Sequence, residues 1–167
     1  MPLSAATLEA ELLIVLDTQA PSYTPPADAA AAAANWARAV RNYFASVTNP
    51  TGVTPAQLDA AEGAMRSTLT PLLVTSTTFE LVTTALDLSL AAFTGFIGVP
   101  SPPGVVVTPP PPVTGQTVLA MTPLQVASRI PPGPTAADAA SKLATTWHSW
   151  FVTGTTVTGG AAPVNWL

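Results

Sequence analysis

His148 is the only histidine in this 167-residue chain, and so the first side chain to test for acid–base work. Ser149 follows it directly. Adjacent helical positions point in different directions, so the two do not read as a base and its nucleophile. A Gly-x-Ser-x-Gly elbow, which would expose a reactive serine on a strained turn, does not occur. Asp59, Glu62 and Arg66 stand at three- and four-residue spacings, where two carboxylates could serve as acid and base. The simpler reading is an ordinary Glu62–Arg66 helix pair, worth about 0.2–0.5 kcal/mol. Asp87 sits in a run of apolar residues and needs a cation or several donors, because a buried, unpaired carboxylate is costly. Arg38, Arg41 and Arg129 are its expected partners. With no cysteine, thiolate zinc sites, thiol nucleophiles and disulfides are excluded. One histidine and scattered carboxylates give no metal-ligand spacing. Gly159-Gly160 precedes neither a helix nor a lysine, so it does not read as a phosphate loop. The expectation is no catalytic residue, no cofactor-binding residue, no cofactor and no metal ligand.

Composition narrows the function further. Hydrophobic residues make up 48% and charged residues 8%, with five Lys plus Arg against nine Asp plus Glu. Binding along nucleic acid runs on clustered cations, so a nucleic-acid partner is not expected. High hydrophobicity with so little charge also argues for a packed chain over a disordered one. A freely diffusing protein ordinarily carries more charge, so the composition reads either as a high-GC genome favouring Ala, Pro, Gly and Thr codons or as a subunit that lives inside an assembly, two compatible readings. Glu9 and Glu11 stand where a secretory signal would be basic, so no secretion signal is read there.

The elements follow from periodicity and capping. The central one is Thr77 to Ile97, with Phe79, Val82, Leu86, Leu90, Phe93 and Ile97 in one stripe and Leu81, Ala85, Leu88 and Ala92 widening it. Thr77 with Glu80 reads as its capping box. A helix apolar nearly all round belongs in the core, so this should be the most buried helix, with the others packed on it. A first helix is expected over about Ser4–Thr18, facing inward through Leu8, Leu12, Val15 and Leu16, with Leu13 and Ile14 at its flanks. A second spans about Ala27–Val47, with Ala29, Ala33, Trp36, Val40, Tyr43 and Val47 inside. A third starts at the Thr54-Pro-Ala-Gln57 box, carries Leu58, Ala61, Met65, Leu69 and Leu72, and should end or kink at Pro71. Gly63 lies inside it at a cost in helix stability. Thr122-Pro-Leu-Gln125 opens a short helix to about Arg129. Thr135, with Asp138 three residues on, caps the last helix, in which Ala136, Ala140, Leu143, Trp147 and Trp150 face inward.

Between the central helix and Thr117, Gly98 to Gly115 contains seven prolines and should be an extended, stiff connector in which Val105 to Val107 form a short strand or a pinning contact. After Gly154 the chain holds too much Gly and Pro to build its own element. Trp147, Trp150, Phe151 and Trp166 gather near the end, as aromatic anchors suited to a lid or an interface.

Trp36 with Tyr43-Phe44, the low-charge Thr/Ala/Pro composition and the ending TWHSWFVTGTTVTGGAAPVNWL resemble small accessory structural proteins of tailed bacteriophage particles. That resemblance implies a virion component of capsid, neck, tail or baseplate, assembled in the host cytoplasm and without catalytic residues. The expected architecture is all-α: a bundle of five to six helices around a central apolar helix, with proline-rich extended linkers and an extended C-terminal arm. Residues 1–152 form the helical domain, 98–116 its connector and 153–167 the arm. The expected function is that of a structural or adaptor subunit, partnered by other subunits of the assembly and by copies of itself. Trp147, Trp150, Phe151, Val157, Val164, Trp166 and Leu167 are the expected partner-binding residues, in an arm that docks on a neighbour and is mobile in the isolated chain. The alternative is a membrane-associated protein using residues 81–99; an enzyme built on His148 or Asp87 is more remote.

Overall fold

The computed structural model describes residues 3–46, 53–97, 104–111, 117, 135–159 and 161–166. Within them the fold is all-α in character, with five helices and three short strands. Helix α1 is Ala5–Leu16, α2 Ala29–Ala45, α3 Pro55–Thr75, α4 Phe79–Ile97 and α5 Ala136–Phe151. Strands β1 (Val105–Thr108), β2 (Thr155–Thr158) and β3 (Val164–Asn165) form one antiparallel sheet in that order. Helix α1 packs against α5 and α2, α2 against α3, and α3 against α4. The segment 122–129, Val47 and Arg129 lie outside the described residues, as do 98–103 and 112–116 of the connector.

Local chemistry sets the helix starts. Ser4 accepts from Thr7 N, Asp28 from Ala31 N, and the boxes Thr54/Gln57 and Thr135/Asp138 are both closed in each direction. These side chains satisfy amide donors that the first helical turn leaves without partners. The expected Thr77/Glu80 box gives way to a start one residue later, where the Thr78 hydroxyl accepts from Leu81 N at 3.4 Å. Pro71 does not end α3, which runs through it to Thr75. Pro71 is solvent-exposed, so the carbonyl its missing N–H abandons can turn to water. Beyond it, the Thr75 and Ser76 hydroxyls donate to the carbonyls of Pro71 and Leu72.

Helix α4 has a larger share of its residues buried than any other helix described. Thr83, Ser89 and Thr94 go in with Leu86, Leu90, Phe93 and Ile97 because each hydroxyl donates to a carbonyl three residues back. Its burial is nonetheless one-sided: Leu81, Leu88 and Phe96 are 47%, 44% and 48% exposed. Among the described helices, α3 is the one closely packed along α4, while α1, α2 and α5 do not converge on it as expected.

The ring that joins the elements is Phe44 of α2. Its centroid lies 5.4 Å from Phe93 of α4, 5.0 Å from Phe151 of α5 and 6.0 Å from Trp166 beyond β3. Edge-on and tilted contacts at these separations add roughly 0.5–1.5 kcal/mol per pair beyond area burial. On α1, Leu8 and Leu12 are fully buried as expected, while Ile14 stands 72% exposed.

The C-terminal arm is the largest departure. It builds an element after all, pairing Thr155 to Thr158 with the Val105–Thr108 run of the connector and returning through Val164 and Asn165. Gly159 N donates to Gly104 O at 2.8 Å, and both glycines sit at positive φ, 57° and 81°, where a side chain would be strained. Gly and Pro here shape a hairpin instead of preventing one.

Candidate interaction surface

The aromatic residues expected to bind a neighbour are packed within the chain's own fold. Trp147 and Phe151 are fully buried on α5, Trp150 nearly so, and Trp166 is 0% exposed. Each indole N–H has a partner: Trp147 donates to Thr117 Oγ1 at 3.1 Å, Trp150 to Pro111 O at 3.0 Å and Trp166 to Thr156 Oγ1 at 3.2 Å. In this structure the arm closes over its own bundle, with Trp166 against Phe44 and β2 paired to β1. Val157 is half-buried in the sheet, Val164 is exposed, and Leu167 lies outside the described residues.

Asp87 is buried, and among the described residues Thr117 is a partner that the sequence did not suggest. Its Oδ1 accepts from Thr117 N at 3.0 Å and from Thr117 Oγ1 at 2.7 Å, and the same hydroxyl accepts from Trp147 Nε1. This relay ties α4 and α5 to Thr117, and its neutral donors meet the need for satisfied lone pairs. Arg41 is occupied elsewhere, reaching Asp59 Oδ1 from NH2 at 2.6 Å and Glu62 Oε2 from Nε at 3.2 Å. The expected Glu62–Arg66 pair within α3 is thus replaced by a contact between α2 and α3. Glu62 and Asp59 balance one cation instead of forming an acid–base pair.

His148 is half-buried, with Nδ1 2.7 Å from the Tyr43 hydroxyl. Burial lowers the imidazole below its usual pKa and pushes the Tyr43 phenol well above its own. The two side chains thus share this hydrogen bond as neutral partners. The Ser149 hydroxyl donates back to Thr145 O at 2.8 Å, away from the imidazole, as its position on the helix predicts. Burial stabilises the neutral form of both partners. Among the described residues no group of three His, Asp or Glu side chains converges as a metal site.

Two surface features were not read from the sequence. One is an open groove of about 470 Å³ between the end of α1, the following turn and α2, lined by Glu11, Ile14, Asp17, Tyr23, Arg38 and Asn42 among others. Asn42 Nδ2 donates to Glu11 Oε2 at 2.9 Å across it. Its walls come from three segments, so no local pattern marks it. The other is the outer face of α4. Leu81, Thr84, Leu88, Gly95 and Phe96 are exposed, with Ala91 and Ala92 half-buried beside them. Of the helix's two charges, Asp87 is buried, and exposed Glu80 borders the strip at its Leu81 end. The uniform apolarity of α4 in sequence was the available signal, but it does not say which side faces out.

No family model matches the chain, and no curated protein or solved structure shows significant similarity to it.

Proposed function

We propose that the chain is a structural or adaptor subunit of a large protein assembly, with a tailed-phage virion as its setting. The observation that carries this reading is the apolar outer face of α4, with Leu81, Leu88 and Phe96 each more than two-fifths exposed. Large exposed apolar side chains collected along one helix face are the kind of surface that protein partners cover. The low charge of the whole chain supports the same reading, because little electrostatic repulsion opposes close packing of subunits.

A bilayer is the rival occupant. Glu80–Ile97 is long and apolar enough to cross one, with a mean hydropathy of 1.4. Half of that window is buried, and Asp87 within it is held by Thr117, which favours a core helix with one docking face. Mass spectrometry of purified particles from the source tests the proposal. The chain should be a stoichiometric component, and Leu88→Glu should remove it from particles while leaving the helical circular-dichroism signal unchanged. Absence from particles, or normal incorporation of Leu88→Glu, contradicts it.

A further inference from the structure

We infer that the groove between α1 and α2 is a binding site for a short zwitterionic ligand, an apolar dipeptide with both ends free. The inference goes beyond the assembly reading and makes no use of the α4 face. The groove holds about 470 Å³, within the range of roughly 300–1,000 Å³ usual for small-molecule sites. Its turn side is fixed in place, since Ala20 N donates to Asp17 O at 3.2 Å and Tyr23 N to Ala20 O at 2.9 Å.

The charges of the groove are the first observation. Glu11, Asp17 and Arg38 all line it, and no ion pair joins them. All nine Asp and Glu side chains of the chain lie among the described residues, and Arg38 pairs with none of them. The two acids are held by neutral donors. Asn42 Nδ2 fixes Glu11 through Oε2, and the Gln19 amide fixes Asp17 through Oδ1 at 3.1 Å. Glu11 Oε1 and Asp17 Oδ2 accept no hydrogen bond among the described residues. A carboxylate anchored through one oxygen keeps its place and leaves the other for a ligand donor.

Those charges decide the class of ligand. A guanidinium without a carboxylate partner calls for an anion, and its planar fork matches a carboxylate. A plain anion, however, would meet two acids against one cation in this groove. The ligand must therefore bring a cation too, and an ammonium supplies donors for the free oxygens of Glu11 and Asp17.

Spacing and surface set the rest. Arg38 and Asn42 are four residues apart on α2, about 6 Å of helix rise. Because Asn42 holds Glu11, the guanidinium and this acid are anchored about one turn apart. A single amino acid carries both charges on one carbon, whereas an extended dipeptide separates its ends by about 7 Å. Ile14 lines the groove and is 72% exposed, the most of any large hydrophobic described. Apolar ligand side chains laid over Ile14, with Leu13 and Tyr23 beside it, remove that surface from water.

Calorimetric titration of the full chain with leucyl-leucine tests the site. Leucyl-leucine should bind saturably, one per chain. N-acetyl-leucyl-leucine lacks the ammonium and leucyl-leucine amide lacks the carboxylate, and each should bind at least about tenfold more weakly. Arg38→Gln should weaken leucyl-leucine by a similar factor, as should Glu11→Gln combined with Asp17→Asn. Lys142→Gln, a charge change at an exposed position on α5, should leave binding unchanged. Circular dichroism checks that each variant is folded. Absence of saturable binding overturns the inference. Equal binding of the acetylated compound or of the amide overturns the two-charge ligand. Wild-type affinity in Arg38→Gln or in the double variant places the ligand elsewhere and overturns the site. None of these outcomes alters whether Leu88→Glu enters particles, so failure here and failure of the assembly reading are told apart.

Discussion

Trp166 lies flat against the backbone of Gly154: a Cβ added to that glycine would sit 2.6 Å from Trp166 Cδ2 and 2.7 Å from Cε3. The Trp166 amide also donates to the Gly154 carbonyl at 2.9 Å. The chain thus leaves α5 at a residue without a side chain so that the last tryptophan can close over it.

Gly154→Ala should accordingly destabilise the fold by about 1–3 kcal/mol, the usual cost of forcing atoms into a filled space. Trp166→Ala should cost about 3–5 kcal/mol. Denaturant unfolding followed by circular dichroism measures both. A Gly154→Ala midpoint equal to wild type would mean the indole does not rest there.

Removing residues 155–167 should lower the midpoint of thermal unfolding substantially, because Trp166 covers Phe44 and β2 pairs with β1. An unchanged midpoint would show that the arm is not part of the bundle.

On α4 the two faces should respond differently to the same change. Leu86→Ala, at 2% exposure, should cost about 2–5 kcal/mol, while Leu88→Ala, at 44%, should stay within about 1 kcal/mol of wild type. Equal losses for the two would place the helix in the core on both sides.

Thr117→Val keeps the shape of the side chain and removes the hydroxyl that donates to Asp87 and accepts from Trp147. Leaving those buried groups short of a partner should cost about 1–3 kcal/mol. Tryptophan fluorescence during unfolding reads both the stability and the changed indole environment.

His148 gives the fold a defined pH dependence. Its folded pKa is lowered by burial, so the unfolded chain binds a proton first as the pH falls. The stability it confers is complete above the unfolded value of about 6.5 and is lost progressively as the pH falls through the lowered folded value. Thermal midpoints should begin to drop below about pH 6.5, and His148→Gln should flatten that part of the profile. A wild-type profile that is level until the carboxylates titrate would contradict this.

Much of the helical framework was legible in the sequence because it depends on contacts within a few residues. The boxes at Thr54/Gln57 and Thr135/Asp138, the stripe Leu58–Ala61–Met65–Leu69 and the inward residues Ala140, Leu143, Trp147 and Trp150 all sit where their spacing placed them. The back-bonding of Ser149, and with it the separation of that hydroxyl from His148, is equally local. What the tertiary structure alone decided is how those elements meet. Helix α4 is apolar on every side, so its sequence does not distinguish the face covered by α3 from the face carrying Leu88. Asp87 could be satisfied by any donors within reach, and only packing brought Thr117 to it. The arm's strands lack a hydrophobic period of their own and exist because Val105 to Thr108, some fifty residues earlier, supplies their hydrogen-bond partners. Long-range pairing of this kind leaves little local trace, because neither strand is stable until the other is in place.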